Sequence, residues 1–168
     1  VDAEGISRSI LNHLLSNELI ERSSRGVYIL PEVWDDEIFN IQQKYRKGIY
    51  SMETALFLNG LIDRTPNKYH MTFPSNYNIS NIDATRVIAN RVKEELYEVG
   101  TLPITSPGGN QIYCYNSERT LCDILRPRSK TDIQIISESF KKYVKTEDKN
   151  IIQLTEFSKK FGVEKKLR

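Results

Sequence analysis

The chain has 168 residues, of which 39% are hydrophobic and 27% charged, and its formal net charge is +2. This length and composition are those of a globular protein with one ordinary domain, or with a small domain joined to a medium one. The sequence contains no apolar run of about 18 residues and no basic segment followed by a hydrophobic block, so it predicts neither a membrane span nor a signal peptide, and we expect a cytoplasmic protein.

The first predicted element is a helix over residues 7–17. Gly5-Ile6-Ser7 is typical of a turn, and the Ser7 hydroxyl is suited to cap the helix. One side of this helix is apolar and carries Ile6, Ile10, Leu11, Leu14 and Leu15. The other side carries Arg8, Ser9, Asn12, His13 and Ser16. Because hydroxyl, amide, imidazole and guanidinium groups suit base edges and phosphates, this face predicts DNA contacts at Ser7, Arg8, Ser9, Asn12 and His13.

A hairpin is predicted directly after this helix. Residues 19–22 and 27–30 form its strands, residues 23–26 its turn, and Gly26 is available for a positive φ angle. Arg22 and Arg25 then lie on a protruding wing, where they can bind phosphates or enter a minor groove. This order is typical of the second half of a winged helix-turn-helix. The alternative is that a helix packed on a hairpin is common and that two arginines alone make no binding site.

A winged helix has one or two supporting helices before its recognition helix. Only residues 1–4 precede the predicted turn, and the chain has no initiator methionine. We therefore expect the natural protein to carry upstream helices, and we expect this fragment alone to bind DNA weakly or not at all.

The next predicted helix, over residues 33–47, has an apolar stripe of Trp34, Ile38, Ile41 and Tyr45 and ends at Gly48. We place a domain boundary there, between a partial winged helix with a connecting helix (1–48) and a second domain (49–168). The second domain is predicted to contain helices over 51–59, 116–125, 131–144 and 151–161, strands over 68–74, 85–92, 99–106 and 111–115, and a helical turn at 93–96. Ser51 and Asn116 are predicted caps. Strands flanked by helices predict an α/β (α+β) fold with a mixed sheet.

The C-terminal end is the basic end. Residues 130–168 contain ten Lys or Arg and six Asp or Glu. The lysines most suited to attract an acidic partner or a DNA backbone are Lys141, Lys142, Lys145, Lys159 and Lys160, with Lys165, Lys166 and Arg168 beyond them. Alternatively, these side chains only solvate exposed helix faces.

Six further polar residues are candidates for a site: Glu53, Asp63, Arg64, Glu118, Arg119 and Asp123. Glu53 and Glu118 lie in first turns of predicted helices, where the helix dipole stabilises a carboxylate. The spacing of Arg119 and Asp123 predicts a pair within one helix. Asp63 and Arg64 lie in a loop, where an ion pair that braces the loop is the alternative to a functional role.

The residues contain no pattern of an enzyme or a metal site. No phosphate-binding glycine loop, nucleophile elbow or zinc-protease helix is present, and His13 and His70 stand far apart in the chain. Cys114 and Cys122 have no metal-ligand spacing, so we expect two reduced, packed thiols. We therefore predict no catalytic residue, no metal and no cofactor.

Five segments together resemble the AbiEi-type antitoxins of bacterial abortive-infection, or type IV, toxin–antitoxin operons. They are GISR (5–8), RGVY (25–28), YSMETAL (50–56), GLIDRTP (60–66) and NSERTLCD (116–123). The resemblance implies that a winged helix represses the protein's own operon by binding promoter DNA, and that a C-terminal domain counteracts a nucleotidyltransferase-like toxin, with or without direct binding. The expected antitoxin surface includes Asp63, Arg64, Lys141, Lys142, Lys145, Lys159 and Lys160.

Two other functions stay open. One is a winged-helix transcription regulator whose C-terminal domain senses a ligand. The other is a metal-dependent nuclease or nucleotidyltransferase, in which Asp63 or Asp123 would be required for turnover.

Overall fold

A computed structural model describes residues 7–24, 26–29 and 36–167. The chain divides into two compact units. The first comprises the described residues up to Arg46 together with Thr105–Ile112, and the second comprises Lys47–Ile104 with the described residues from Tyr113 onward. The stretch Thr105–Ile112 therefore belongs to the first unit, although it lies far along the sequence.

The described residues contain helices both between the strands and after the last strand. The helices are α1 (Arg8–Ser16), α2 (Glu37–Lys44), α3 (Met52–Leu58), α4 (Glu94–Tyr97), α5 (Ser117–Ile124), α6 (Ile133–Lys145) and α7 (Ile151–Lys160), followed by a 3₁₀ turn at Glu164–Lys166. The strands are β1 (Glu21–Ser24), β2 (Val27–Ile29), β3 (Ile49–Tyr50), β4 (Tyr69–Pro74), β5 (Val87–Val92), β6 (Thr101–Thr105) and β7 (Gln111–Tyr115). The predicted α/β class with a mixed sheet is confirmed.

In the first unit, α1 and the hairpin β1–β2 form as predicted, with small shifts. Ser7 caps α1, and its hydroxyl accepts a hydrogen bond from the backbone N–H of Ile10. The first strand begins at Glu21 rather than at residue 19, and the antiparallel pair is irregular between Arg22 and Ser24. Gly26 has the predicted positive φ, at 84°.

The helix predicted over residues 33–47 ends earlier than expected. Its described part, α2, begins after Asp36, whose carboxylate accepts a hydrogen bond from the Phe39 N–H at 3.1 Å. Trp34 lies outside the described residues. The helix ends at Lys44, so Gly48 does not end it. Ile38, Ile41 and Tyr45 are buried, as the apolar stripe predicts.

Asp36 also holds the tip of the β6–β7 hairpin within the first unit. Its carboxylate accepts hydrogen bonds from the Ser106 hydroxyl and from Asn110 Nδ2, the latter at 2.9 Å. A Cβ on Gly108 would lie 2.5 Å from Asp36 Oδ2, so the turn passes close to this side chain. The Asp36 carboxylate is thus both a helix cap and an anchor for this loop.

The sheet runs in the order β5-β4-β3-β7-β6. β3 pairs antiparallel with β4 and parallel with β7, and β4 pairs parallel with β5 along its whole length, from Tyr69 opposite Val87 to Pro74 opposite Val92. The two-residue strand β3 lies in the middle and was not predicted. Ser51, predicted to cap α3, makes no side-chain cap bond and instead accepts a hydrogen bond from the Thr72 hydroxyl at 2.9 Å. Tertiary contact with β4 has replaced the local cap.

The core of the second unit lies among α3, α5, α6 and α7. Its most buried members include Leu56, Leu61, Leu121, Cys122 and Ile124, each at most 2% exposed. Because α5 is buried on nearly every side, its polar residues are inside the unit and need partners there. Among the described residues, no helix has the length and apolar character that a bilayer crossing requires.

Candidate functional site

The polar side of α1 is exposed along its length. The exposed residues are Ser7, Arg8, Ser9, Asn12, His13 and Ser16. On the opposite side Leu11 is buried, and Leu14 and Leu15 are half-buried. Ile10 departs from the expected pattern because it is 52% exposed. It lies about 100° around the helix from Leu11, at the margin of the apolar side.

Hydrogen bonds within α1 involve some of these polar groups and leave others available. The hydroxyls of Ser7 and Ser9 lie 2.8 Å apart, and Asn17 Nδ2 donates to the His13 carbonyl at 2.8 Å. Within the described part of the chain, the side chains of Arg8 and Asn12 have no hydrogen-bond partner. These two are the side chains of α1 that can bind an outside group without breaking a contact.

The predicted wing is described only in part. Arg22 is exposed on β1. Arg25 lies outside the described residues, so its predicted role as a DNA contact stays a prediction.

The C-terminal lysines lie on α6 and at the end of α7. Lys141, Lys145, Lys159 and Lys160 are exposed, whereas Lys142 is half-buried and forms two ion pairs. Its ammonium lies 2.7 Å from Asp63 and 3.3 Å from Glu138, and the hydrogen bond with Asp63 is the main reason that the pKa of Lys142 is raised. Asp63 is thus paired with α6. Arg64 is exposed beside it.

Arg64, Glu53 and His70 all line one cavity of about 750 Å³. The His70 imidazole is largely buried, and burial lowers its pKa. Its Nδ1 has no hydrogen-bond partner in the described structure. The backbone N–H of His70 donates to the Thr54 hydroxyl at 2.8 Å, which fixes the strand but leaves the ring nitrogen unsatisfied.

The predicted Arg119–Asp123 pair is confirmed, and it is buried. Arg119 is 1% exposed, and its Nε donates to Asp123 at 2.8 Å. Burial raises the pKa of Asp123, while the charges of Arg119 and Arg126 oppose that shift. Arg119 also donates to the Leu96 and Val99 carbonyls at 2.7 and 2.8 Å. Its guanidinium lies between the rings of Tyr115 and Phe161, at 4.2 and 4.1 Å from their centroids.

Glu118 has a tertiary role in addition to its first-turn position. Its carboxylate accepts hydrogen bonds from the Tyr143 hydroxyl at 2.8 Å and from the Asn150 N–H at 3.0 Å. The carboxylate therefore ties α5 to α6 and to the start of α7. The sequence offered no signal for this contact because Tyr143 lies 25 residues away.

Sequence reasoning missed a group of arginines in the second unit. Arg91, Arg126 and Arg128 line two neighbouring cavities, of about 150 and 640 Å³, and Arg119 and Asp123 also line the smaller one. We call these two cavities together the arginine groove. The signal that could have found it is the alternation of basic residues in RPRSK (126–130), which follows directly on α5.

The described residues offer little to nucleophilic or metal chemistry. They contain no group of three or more His, Cys, Asp or Glu side chains that could hold a metal ion. Cys114 and Cys122 are free and buried, as expected, and burial raises the pKa of Cys122 to about 12. The two aspartates that a nuclease would need have different environments, since the Asp63 side chain is 91% exposed and that of Asp123 is 8% exposed.

A scan against protein-family models gives no match, and a search among curated proteins likewise finds no related sequence.

Proposed function

We propose that this chain is a DNA-binding regulator of the antitoxin type. In this proposal α1 is the recognition helix of a winged helix-turn-helix, and β1–β2 is its wing. The observation that carries the proposal is the polarity of α1, whose exposed side bears Arg8, Ser9, Asn12 and His13 while Leu11 packs inward. A helix with this exposed face fits the major groove, where each base pair presents a distinct set of donors and acceptors.

The chemistry of the exposed face favours DNA over bulk solvent as its partner. A face that only contacts water is rich in Glu and Lys, whereas α1 has no acidic residue in its first turn and no lysine at all. Arg8 and Asn12 are free to form bidentate contacts with guanine and adenine. Arg22, exposed on the hairpin, is suited to a phosphate contact that positions the protein without reading sequence.

The test is binding of the full-length natural protein to the DNA that precedes its own reading frame, measured by fluorescence anisotropy. Because a good bidentate base contact contributes about 1–3 kcal/mol, Arg8→Ala should weaken binding by roughly 5- to 150-fold. Arg46→Ala is the matched control, since Arg46 is also exposed but lies outside α1 and the hairpin. Equal affinities of wild type and both variants would remove α1 from the interface.

The second half of the proposal is neutralisation of a nucleotidyltransferase-like toxin in the same cytoplasm. It is supported by the resemblance of residues 50–66 and 116–123 and by the exposed lysines Lys141, Lys145, Lys159 and Lys160. Co-expression of the chain with a neighbouring nucleotidyltransferase should restore growth. A soluble chain that leaves the cells arrested would contradict this half without affecting the DNA measurement.

A further inference from the structure

We propose that the arginine groove is a binding site for a small ligand that ends in a chain of phosphate groups, of the size of a nucleoside triphosphate. The inference concerns the second unit alone and does not depend on the proposed function.

The groove concentrates positive charge. Its lining contains six basic residues, Arg91, Lys93, Arg119, Arg126, Arg128 and Lys160, and two acidic residues, Glu95 and Asp123. The groove therefore carries +4, while the whole chain carries +2. Four of the six are arginines, whose planar donors match phosphate oxygens in pairs.

Acidic side chains of the protein neutralise only part of this positive charge. Arg119 and Arg126 pair with Asp123, at 2.8 and 3.6 Å. In the described structure Arg91, Arg128 and Lys160 have no ion-pair partner. Like charges around one cavity repel each other, and a bound anion removes that repulsion.

A second, independent observation lies in the inner cavity. Asn90 lines it, and the Asn90 Nδ2 atom is buried without a hydrogen-bond partner in the described residues. A buried donor that lacks an acceptor is costly, and an oxygen of a ligand phosphate would satisfy it. The structure thus supplies a neutral donor beside the cationic side chains, as phosphate sites commonly do.

The shape of the groove selects the ligand. The inner cavity of about 150 Å³ opens beside an outer cavity of about 640 Å³, and both are lined by Arg91, Arg126 and Arg128. The inner volume has room for one phosphate group, and the outer volume has room for the groups that follow it. The outer volume lies in the range of small-molecule sites.

The loop after α5 is built to present these side chains. The Ser129 hydroxyl donates to the Ile124 carbonyl at 2.6 Å, and the Ser129 N–H donates to the Arg126 carbonyl at 3.0 Å. These bonds fold residues 126–129 into a tight turn, so that Arg126 and Arg128 reach the groove from a braced backbone. Less conformational freedom is then lost when an anion binds.

The test is titration calorimetry of the full chain with ATP, AMP, inorganic tripolyphosphate and a single-stranded oligonucleotide whose ends carry no terminal phosphate. We expect ATP and tripolyphosphate to bind, AMP to bind at least about tenfold more weakly, and added salt to weaken all binding. Similar affinities for ATP and tripolyphosphate would show that the site recognises phosphate alone, and tighter ATP binding would show a base contact. Tight binding of the oligonucleotide without binding of ATP would overturn the proposal.

Substitutions in the groove test whether ATP binds there. Arg91→Ala and Arg128→Ala, combined, should weaken ATP binding by about tenfold or more, because each removes a charge-assisted contact. The control is Lys149→Ala with Lys165→Ala, which removes the same charge from exposed residues that line neither cavity. Both are expected to melt like wild type, since the replaced side chains are exposed. Unchanged ATP affinity in the arginine variant, or equal loss in the control, would refute the site.

Discussion

Replacement of Arg119 by methionine tests whether the second unit depends on the buried ion pair. Methionine keeps much of the aliphatic bulk between Tyr115 and Phe161 but carries no charge and no donor. The variant leaves the Asp123 carboxylate without its nearest cation, and it removes two hydrogen bonds to backbone carbonyls. The side chain replaced is 1% exposed, so water cannot take over its place.

The expected loss follows from these contacts. Removing one partner of a buried ion pair costs about 3–5 kcal/mol, because the other charge is left buried and unpaired. The cation–π contacts with the two rings add about 0.5–2 kcal/mol. Arg126 remains 3.6 Å from Asp123 and offsets part of the loss. We therefore expect Arg119→Met to lower the free energy of unfolding by about 3–5 kcal/mol.

Urea unfolding followed by circular dichroism measures this loss. Arg64→Met is the matched control, and because Arg64 is exposed its effect should stay within about 0.5 kcal/mol. Arg119→Met with Asp123→Leu should recover most of the stability, since the double variant removes both buried charges. A single variant within about 1 kcal/mol of wild type, or a double variant less stable than the single one, would refute the reasoning.

Two further predictions concern the same unit and are measured in the same way. Gly100 has φ +77°, and a Cβ there would lie 2.7 Å from Arg119 Cβ, whereas Gly60 has φ +71° with open space around it. Gly60→Ala should therefore cost only the backbone strain of about 1–2 kcal/mol, and Gly100→Ala about 1–3 kcal/mol more; equal losses would contradict the close approach. Because burial lowers the pKa of His70, the unfolded chain takes up its proton first as the pH falls. The stability that neutral His70 contributes should be present above about pH 6.5 and lost as the pH falls through the lowered pKa. His70→Gln should therefore flatten the dependence of the unfolding free energy on pH, with His13→Gln, at an exposed histidine, as the matched substitution.

Local signals in the sequence predicted the helices and the turns well. Ser7 and Asn116 cap the helices that they were expected to cap, because a cap depends on residues three positions away. Ser51 has the same side chain in the same position, yet its hydroxyl accepts from Thr72. A contact with a neighbouring strand outweighed the local bond, and no local pattern reports such a contact.

Strand β3 and the arginine groove were not predicted because both depend on contacts between residues far apart in the sequence. Strand β3 has two residues, which is too short for any alternation to be seen, yet it pairs with both β4 and β7 at the centre of the sheet. The arginine groove has the same origin, since Arg91 lies on β5 and Arg128 in the loop after α5. Its parts are separated by more than thirty residues of sequence and are assembled only by the fold.

Shape separates the two proposed sites more clearly than charge does. The exposed face of α1 is convex, and a convex rod of this kind can enter the groove of a duplex and reach base edges. The arginine groove is a pair of cavities of about 150 and 640 Å³, and volumes of this size suit the end of a small anion rather than a rigid double helix. The net charge of +2 indicates neither site, because acidic residues elsewhere cancel the local excess. We therefore expect the local potential, which depends on where the fold places its arginines, to decide which anions this chain binds.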